Sequence, residues 1–468
     1  MAQALGSTRG VALGVGLALT VGAWLRLTAL DVHSLWFDEC GTLAVALADA
    51  PLEILRADRH PPVSFLGFRW WSGVFGESDA ALRALPALVS CLALALFAVW
   101  TSRVASGAVA LLATWLLAVA PYQVWMGQEV RMYPFVELGA VLVLLGSELA
   151  LRRSLAGASL VAAGTALAFG AHYLCICVGG LVLAAGESWK ERRAAALGAT
   201  LGMLAWIPWL LTALRDQMQA GWGDTVKLSA RDMAELAPRL FTVEMDVVPA
   251  TWRWAAFALG TLCWLALAHG AWRARADRAA RTALVATALP IVFTLATAWT
   301  VGGGFQTRYL IAATPGAALA VASGLITQRA WTLPLGGALL ALGLGAHSLE
   351  LRTRNLREDY ASACAELARE WRPGDRVVSI TGTEELFELA PLEHYLRERP
   401  EILASVSSWK RIETRLAEVL PSGARLHVVY RESGYAWAER DRLATRLEWI
   451  ESSGTRERIE RSVWQRKP

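Results

Sequence analysis

The sequence is poor in the residues that form disulfide frameworks and metal centres, with six cysteines and seven histidines among 468 residues. Four of the cysteines lie inside apolar runs, where a thiol is typical of packing: Cys91, Cys175, Cys177 and Cys263. The remaining two are Cys40 and Cys364, and the sequence leaves a disulfide between them as an open alternative. The cysteines give no disulfide pattern, so they do not indicate a small domain held together by disulfides.

Charged residues are also scarce, at 18% of the chain, whereas 55% of the residues are hydrophobic. The mean hydropathy of +0.38 is too high for a soluble protein of this length. Apolar runs recur that are long enough for a helix to cross a hydrocarbon core of about 30 Å. There are eleven of them: 10–30, 83–102, 104–121, 134–151, 155–171, 173–187, 194–214, 252–272, 282–301, 309–327 and 331–349. The first run lacks a small-residue cleavage site followed by a soluble domain, which favours an uncleaved span over a signal peptide.

Positive charge is concentrated in every second connection between these runs. The connections hold Arg103; Arg152 and Arg153; Lys190, Arg192 and Arg193; Arg273, Arg275, Arg278 and Arg281; and Arg329. By the positive-inside rule, these connections are cytoplasmic. The alternate connections then face outward: 31–79, 122–133, 215–251 and 302–308. Eleven spans put the N-terminus inside and the C-terminal region outside.

This topology predicts that a reporter enzyme fused after Pro468 is active only on the outer side of the membrane. Activity of a cytoplasmic reporter at the same position would contradict both the orientation and any chemistry on the outer face. A fusion in the arginine-rich connection 273–281 is the matched control, since it should show the opposite pattern.

The chain divides into two parts by composition. Residues 1–350 form the predicted transmembrane domain, with 31–80 as its first outer loop. In residues 351–468 charge rises and apolar runs shorten. Predicted strands and helices alternate there, which indicates a small extracytoplasmic α/β domain. The strands are 376–380, 425–430 and 459–465, and the helices are 359–371, 384–397 and 436–447. This region has no glycine-rich phosphate fingerprint and no metal-like spacing.

The first outer loop carries two adjacent carboxylates, Asp38 and Glu39, and a histidine, His60. Ionisable residues beside a membrane are functional candidates by default. The alternative is structural: the two acids cap a surface helix and the histidine occupies a turn. Because all three fall in one loop, we favour a functional site.

Three other outer connections add polar candidates. They contribute Gln128, Glu129, Arg131 and Tyr133; His172, in the short outer connection 170–173; and Arg308 and Tyr309. An aromatic belt with an ordinary salt bridge, a structural histidine and an interfacial arginine are the alternatives. Carboxylates that accept a proton and arginines that hold phosphate suit group transfer from a lipid-phosphate donor.

At this point the chain resembles the membrane glycosyltransferases of the GT-C fold. It is most similar to glycosyltransferase family 39, which includes protein O-mannosyltransferases and lipid A aminoarabinose transferases. The resemblance covers roughly residues 10–330. Its motifs are Trp36-Phe37-Asp38-Glu39, His60-Pro61-Pro62, Phe75-Gly76-x-Ser78, Leu82-Arg83-x-x-Pro86, Gln128-Glu129-x-Arg131-x-Tyr133, His172-Tyr173 and Arg308-Tyr309-Leu310.

The resemblance implies a sugar donor on a polyprenyl phosphate at the outer face. Asp38 matches the family's acidic base that activates the acceptor, and Glu39 follows as in the mannosyltransferase Asp-Glu pair. Arg308 matches an arginine expected to bind the departing phosphate. His60 would lie near that phosphate or near a divalent metal ion, for which Glu39 and His60 are the candidate ligands. The loop 215–251 has no histidine, although some relatives use one there for metal, so metal dependence stays open.

The expected function is therefore an inverting transfer of a hexosyl or pentosyl group to a hydroxyl or phosphate acceptor on a lipid, a glycan or a protein. The expected place is the bacterial cytoplasmic membrane, and no nucleic-acid partner is expected. A multi-spanning lipid or solute transporter or flippase is the alternative. Such a protein would ordinarily carry polar or broken helices near the bilayer midplane, whereas polarity here concentrates at the outer ends, with Glu137 as a mild exception.

Overall fold

The computed structural model describes residues 8–58, 60–152, 154–219, 240–242, 253–273, 277–300, 306–326, 332–353, 355–380, 385–408, 420, 424–431, 447–456 and 459–466. By contacts, the chain divides into two compact units. The helical unit comprises Met1–Leu30 and Ala50–Leu351, and the α/β unit comprises Asp31–Asp49 and Arg352–Pro468.

The described part of the helical unit consists mainly of α-helices. They are α1 (Thr8–Leu27), α3 (Pro51–Ala57), α4 (Val63–Phe75), α5 (Asp79–Val104), α6 (Gly107–Val119), α7 (Pro121–Gly127), α8 (Tyr133–Ala150), α9 (Ser154–Ala171), α10 (Trp189–Leu204), α11 (Ile207–Gln219), α12 (Arg253–Arg273), α13 (Arg278–Thr300), α14 (Thr314–Leu325) and α15 (Thr332–Glu350). Two 3₁₀ helices, Tyr173–Ala184 and Thr307–Ala313, complete the described set. Helix α2 (Phe37–Leu47) belongs to the other unit.

The structure confirms a polytopic helical membrane protein. Among the described residues, six helices are long and apolar enough to span a bilayer, or eight if each of two bent pairs is one span. Each of the eleven predicted runs coincides with helical structure, but several helices are short, so the count of eleven stays a prediction. The run 173–187 forms a 12-residue 3₁₀ helix. With a rise of about 2 Å per residue, that helix is roughly 24 Å long.

The bend between α6 and α7 positions the connection 122–133. Pro121 is the first residue of α7, and Ala120 before it has an extended backbone, with φ −59° and ψ 124°. A residue that precedes proline avoids the α region, so α6 ends there and α7 starts at an angle of 55°. The turn that follows α7 carries Gln128 to Arg131.

Close packing of α8 on α9 holds the histidine at the end of α9. A Cβ atom at Gly139 would lie 2.6 Å from the carbonyl oxygen of Gly164, and one at Gly157 would lie 2.2 Å from the backbone nitrogen of Ala150. Glycines therefore permit a backbone approach that no other residue allows. This contact fixes α9 up to Ala171, the residue before His172.

The α/β unit contains a five-stranded mixed sheet in the order β2-β1-β3-β5-β4. Its strands are β1 (Arg376–Ile380), β2 (Val406–Ser408), β3 (Arg425–Arg431), β4 (Leu447–Arg456) and β5 (Ile459–Arg466). Strand β1 is parallel to β2 and β3, and β5 is antiparallel to β3 and β4. Helices α16 (Tyr360–Glu370), α17 (Glu385–Leu396) and α18 (Pro400–Leu403) complete the described elements.

The three predicted strands and two of the predicted helices of this region are confirmed, within a few residues. The predicted helix 436–447 lies outside the described residues except at Leu447, which begins a strand instead. Strands β2 and β4 were not predicted. Strand β2 has three residues, too short for a period-2 pattern to be recognised.

One predicted boundary differs from the contact-based division. The sequence assigns the whole loop 31–80 to the transmembrane domain, whereas Asp31–Asp49 belongs to the α/β unit. Hydrogen bonds explain the difference. The Leu356 amide donates to His33 Nδ1 at 3.1 Å, the Ser34 hydroxyl donates to Asp359 at 2.9 Å, and the Leu35 amide donates to the Tyr395 hydroxyl at 2.6 Å.

Candidate functional site

An arginine and a tyrosine meet in the helical unit. The Arg308 guanidinium lies over the Tyr133 ring, with its carbon 5.9 Å from the ring centroid. Arg308 is in the short 3₁₀ helix that precedes α14. The first residue of this 3₁₀ helix is Thr307, and its carbonyl accepts a hydrogen bond from the Tyr122 hydroxyl at 3.1 Å. The cation therefore sits against an aromatic face on a segment that α7 holds in place.

Two histidines and a second tyrosine adjoin this pair. The rings of His60 and His172 are edge to face with centroids 5.9 Å apart, and those of His172 and Tyr309 are 5.1 Å apart. His60 Nδ1 lies 3.0 Å from an Asp58 carboxylate oxygen. The carboxylate orients the ring, in the way that acidic partners commonly fix histidine tautomers.

His172 is held as a neutral hydrogen-bond donor. Its Nδ1 accepts the backbone N–H of Leu174 at 3.2 Å. Burial, followed by the electrostatic effects of His60, Arg131 and Arg308, lowers the pKa of His172 well below its usual value. The neutral ring therefore carries its proton on Nε2, which leaves an N–H available to an oxygen acceptor.

Arg131 brings a second cation to the same place. It lies in the turn between α7 and α8, and both it and Glu129 are buried. The Arg131 amide donates to the Glu129 carbonyl at 2.7 Å, which tightens the turn. We call the group His60, Arg131, Tyr133, His172, Arg308 and Tyr309 the basic cluster.

The side chain of Gln128 makes different contacts from those of its neighbours in the turn. Its side-chain amide donates to the carbonyls of Leu25, Arg26 and Thr28 at 3.0–3.2 Å. These carbonyls belong to the C-terminal end of α1, where helices leave acceptors without intrahelical partners. Gln128 thus fastens the turn to α1, and the structure gives its amide this capping contact rather than a place in the basic cluster.

The two adjacent acids of the first loop, which belong to the α/β unit, differ in their burial. Both lie in the first turn of α2, but Glu39 is completely buried whereas Asp38 is partly exposed. Glu39 Oε2 accepts the backbone N–H of Trp36 at 3.1 Å and lies 3.4 Å from Arg357 Nη1. Glu39 therefore closes the helix start in the manner of a capping box. Asp38 keeps a surface that a substrate can approach.

Sequence reasoning missed the residues that hold these groups. Asp58 stands two positions before His60, a local signal that was readable. Glu358 and Arg431 were not recoverable, because they contact the first loop from more than 300 residues away. Tyr122 was seen only as part of a polar connection.

The assignment of Glu39 and His60 as metal ligands stays a prediction. Glu39 and His60 belong to different compact units, and Glu39 already binds the Trp36 amide and Arg357. Over the part of the chain that the structure describes, no group of three or more histidine, cysteine, aspartate or glutamate side chains could hold a metal ion. We therefore derive no step that involves a metal.

No protein-family model matches the sequence, and no curated protein matches it significantly. Solved structures do resemble it. ArnT from Cupriavidus metallidurans bound to undecaprenyl phosphate is 14% identical with a TM-score of 0.60, and the match covers 98% of each chain. The oligosaccharyltransferase AglB from Archaeoglobus fulgidus, in complex with an inhibitory peptide and a dolichol-phosphate, is 10% identical with a TM-score of 0.53. That match covers 90% of this chain and 69% of AglB.

A further structure of the Archaeoglobus fulgidus oligosaccharyltransferase, in complex with zinc and sulfate, gives a TM-score of 0.55 at 11% identity. It covers 97% of this chain and 73% of that one. These likenesses confirm the GT-C fold. The narrower assignment to glycosyltransferase family 39 stays a prediction.

Proposed function

We propose that this protein is a membrane glycosyltransferase that moves a sugar from a polyprenyl phosphate to a hydroxyl acceptor, with inversion at the anomeric carbon. The observation that carries the proposal is the basic cluster, in which Arg131 and Arg308 lie with His172 at the ends of apolar helices. A lipid-linked phosphate is the ligand that needs both cations and a membrane. The fold supports the proposal, because ArnT and AglB were solved with polyprenyl phosphates.

The basic cluster suits the leaving group. Guanidinium groups bind phosphate oxygens through parallel, charge-assisted hydrogen bonds. In the donor the phosphate is a diester with one negative charge, and it departs as a monoester with a second developing charge. Fixed cations stabilise that developing charge most strongly in the transition state. The Nε2–H of His172 adds a neutral donor.

Asp38 is the proposed base, and its partial exposure distinguishes it from the buried Glu39. The bond between the anomeric carbon and the phosphate oxygen breaks, and its electron pair stays with the phosphate. The acceptor oxygen bonds to that carbon while its proton passes to the Asp38 carboxylate. The helix start stabilises the carboxylate anion and keeps it ready to accept the proton. Glu39 is fully buried, and in this proposal it closes the start of α2.

The other candidate residues have supporting roles in this proposal. His60, oriented by Asp58, and Tyr309 pack on His172 and fix its ring. Tyr133 supports Arg308, Glu129 shapes the Arg131 turn, and Gln128 fastens that turn to α1. The reaction is proposed for the outer face of a bacterial cytoplasmic membrane.

The test compares cells with and without the protein by mass spectrometry of lipid-linked sugars and surface glycans. We expect one polyprenyl-phosphate sugar to accumulate in its absence and the same sugar to disappear from a surface glycan or protein. Complementation with the wild-type chain should restore both, and complementation with Asp38→Asn should restore neither. Unchanged lipids and glycans would contradict the proposal.

A second experiment, with purified protein, separates an enzyme from a flippase. Purified protein in detergent or liposomes, given the accumulated lipid and a membrane extract as acceptor source, should release free polyprenyl phosphate. A flippase would leave the bond between sugar and phosphate intact, although cells lacking it would also accumulate the lipid.

A further inference from the structure

The start of α2 is held by three residues that lie far from it in the sequence. Glu358 Oε2 accepts the backbone N–H of Phe37 at 3.0 Å. Arg431 Nε lies 2.5 Å from the other Glu358 oxygen, and its guanidinium also covers the Phe37 ring with its carbon 5.2 Å from the ring centroid. Arg357 pairs with Glu39 at 3.4 Å. All of these contacts lie inside the α/β unit.

These contacts hold the residues on both sides of Asp38. The adjacent residues Arg357 and Glu358 hold Glu39 and Phe37, the two neighbours of Asp38 in the chain. A helix start leaves backbone N–H groups without intrahelical partners, and here an acid from elsewhere accepts one of them. The backbone on both sides of Asp38 is therefore held in place, and with it the direction of the Cα–Cβ bond from which the carboxylate extends.

Further contacts leave the helix little room to shift. A Cβ atom at Gly41 would lie 2.8 Å from the ring of Phe387, so α2 packs closely on α17. Glu358 is almost completely buried, and Arg357 is buried beside it. Burial raises the pKa of Glu358, Arg431 offsets part of this effect, and the nearby Asp38 carboxylate raises the pKa further. Glu358 and Asp38 are thus close enough to interact electrostatically.

We propose that Glu358, anchored by Arg431, is a positioning residue that orients Asp38 for proton transfer, and that this is a function of the α/β unit. The inference rests on the proposed role of Asp38 as the base. Glu358 does not touch the reacting atoms in this scheme. It acts through the backbone of Phe37, and a misplacement of a reacting group by about 1 Å is enough to slow a reaction strongly.

The experiment measures turnover of the lipid-linked sugar that accumulates in cells lacking the protein, at equal abundance of each variant. Glu358→Ala should lower kcat roughly tenfold, while the KM for the lipid donor changes less than about twofold. Glu358→Gln keeps the shape and an acceptor for the Phe37 amide but loses the charge that Arg431 binds. It should show a smaller loss, and it serves as the test if the alanine variant does not accumulate.

A double-variant comparison separates positioning from a general structural role. If Glu358 acts only through Asp38, Asp38→Asn with Glu358→Ala should be no slower than Asp38→Asn alone. Losses that multiply would overturn the inference, as would a normal kcat in Glu358→Ala. The matched control is Glu370→Ala, which breaks another acid–arginine pair of the same unit, 2.7 Å from Arg461; its kcat should equal that of the wild type.

The outcomes also distinguish this inference from the proposed function. Loss of turnover in Asp38→Asn together with normal turnover in Glu358→Ala overturns the positioning role alone. Near wild-type turnover in Asp38→Asn overturns the assignment of the base, and with it the positioning role.

Discussion

Asp38→Asn is expected to lower turnover by roughly 10²- to 10⁴-fold, the usual cost of losing a positioned general base. Asparagine keeps the shape of the side chain and its place in the first turn of α2, but it does not accept the proton of the acceptor. The side chain is partly exposed, so the substitution should leave the abundance of the protein unchanged. Turnover of the lipid-linked sugar at equal membrane abundance is the measurement.

Glu39→Gln is the matched control for this prediction. Glu39 is fully buried, accepts the Trp36 amide and faces Arg357, so its loss should lower the stability of the α/β unit more than the rate of chemistry. A lone buried charge is costly when its partner is removed. If Asp38→Asn turns over normally while Glu39→Gln is inactive, the base is Glu39. If neither variant loses turnover, the first loop is not the catalytic centre.

Arg308→Ala is expected to lower kcat/KM for the lipid donor by about 10²-fold. Hydrogen bonds to charged groups contribute roughly 1.5–3 kcal/mol each, so the loss of one such contact corresponds to about 10- to 150-fold. Because the phosphate gains a second negative charge as it departs, much of the loss should appear in kcat. Arg308→Lys should restore activity only in part, since lysine keeps the charge but loses the two parallel donors. Arg131→Ala should weaken donor use in the same direction.

Arg281→Ala tests whether any arginine at a helix end would have this effect. Arg281 forms an exposed ion pair with Glu187 at 2.8 Å, and exposed pairs contribute little to stability. Its substitution should leave donor kinetics unchanged. Normal donor kinetics in Arg308→Ala would remove this arginine from the site, and full activity in Arg308→Lys would show that charge alone matters there.

Local patterns were sufficient to predict the helical class. A backbone in hydrocarbon has to satisfy its hydrogen bonds within the segment, so a long apolar run indicates a helix almost regardless of its neighbours. The breaks were harder to predict. Ala120-Pro121 was readable as a bend, whereas the 3₁₀ form of Tyr173–Ala184 has no marker in its composition.

The candidate residues of the basic cluster could also be named from sequence, because polar side chains at the ends of apolar runs are few. What each residue does was not readable. Gln128 and Arg131 are three positions apart in one motif, yet one binds helix carbonyls and the other joins the cluster. The difference follows from the direction in which the turn after α7 leaves that helix, which depends on packing against α1.

The sequence by itself determined that the chain is a polytopic helical membrane protein with polar motifs at alternate helix ends and a charged α/β region after residue 350. Length, hydropathy and strand periodicity are properties of single segments, so they can be predicted without knowing which segments pack together. Only the tertiary structure decided that Asp31–Asp49 packs into the α/β unit and that Glu358 and Arg431 hold the start of α2. It also decided that Glu39 is buried while Asp38 stays accessible. Burial and pairing across more than 300 residues depend on which surfaces meet, and no repeat or spacing in the sequence records that.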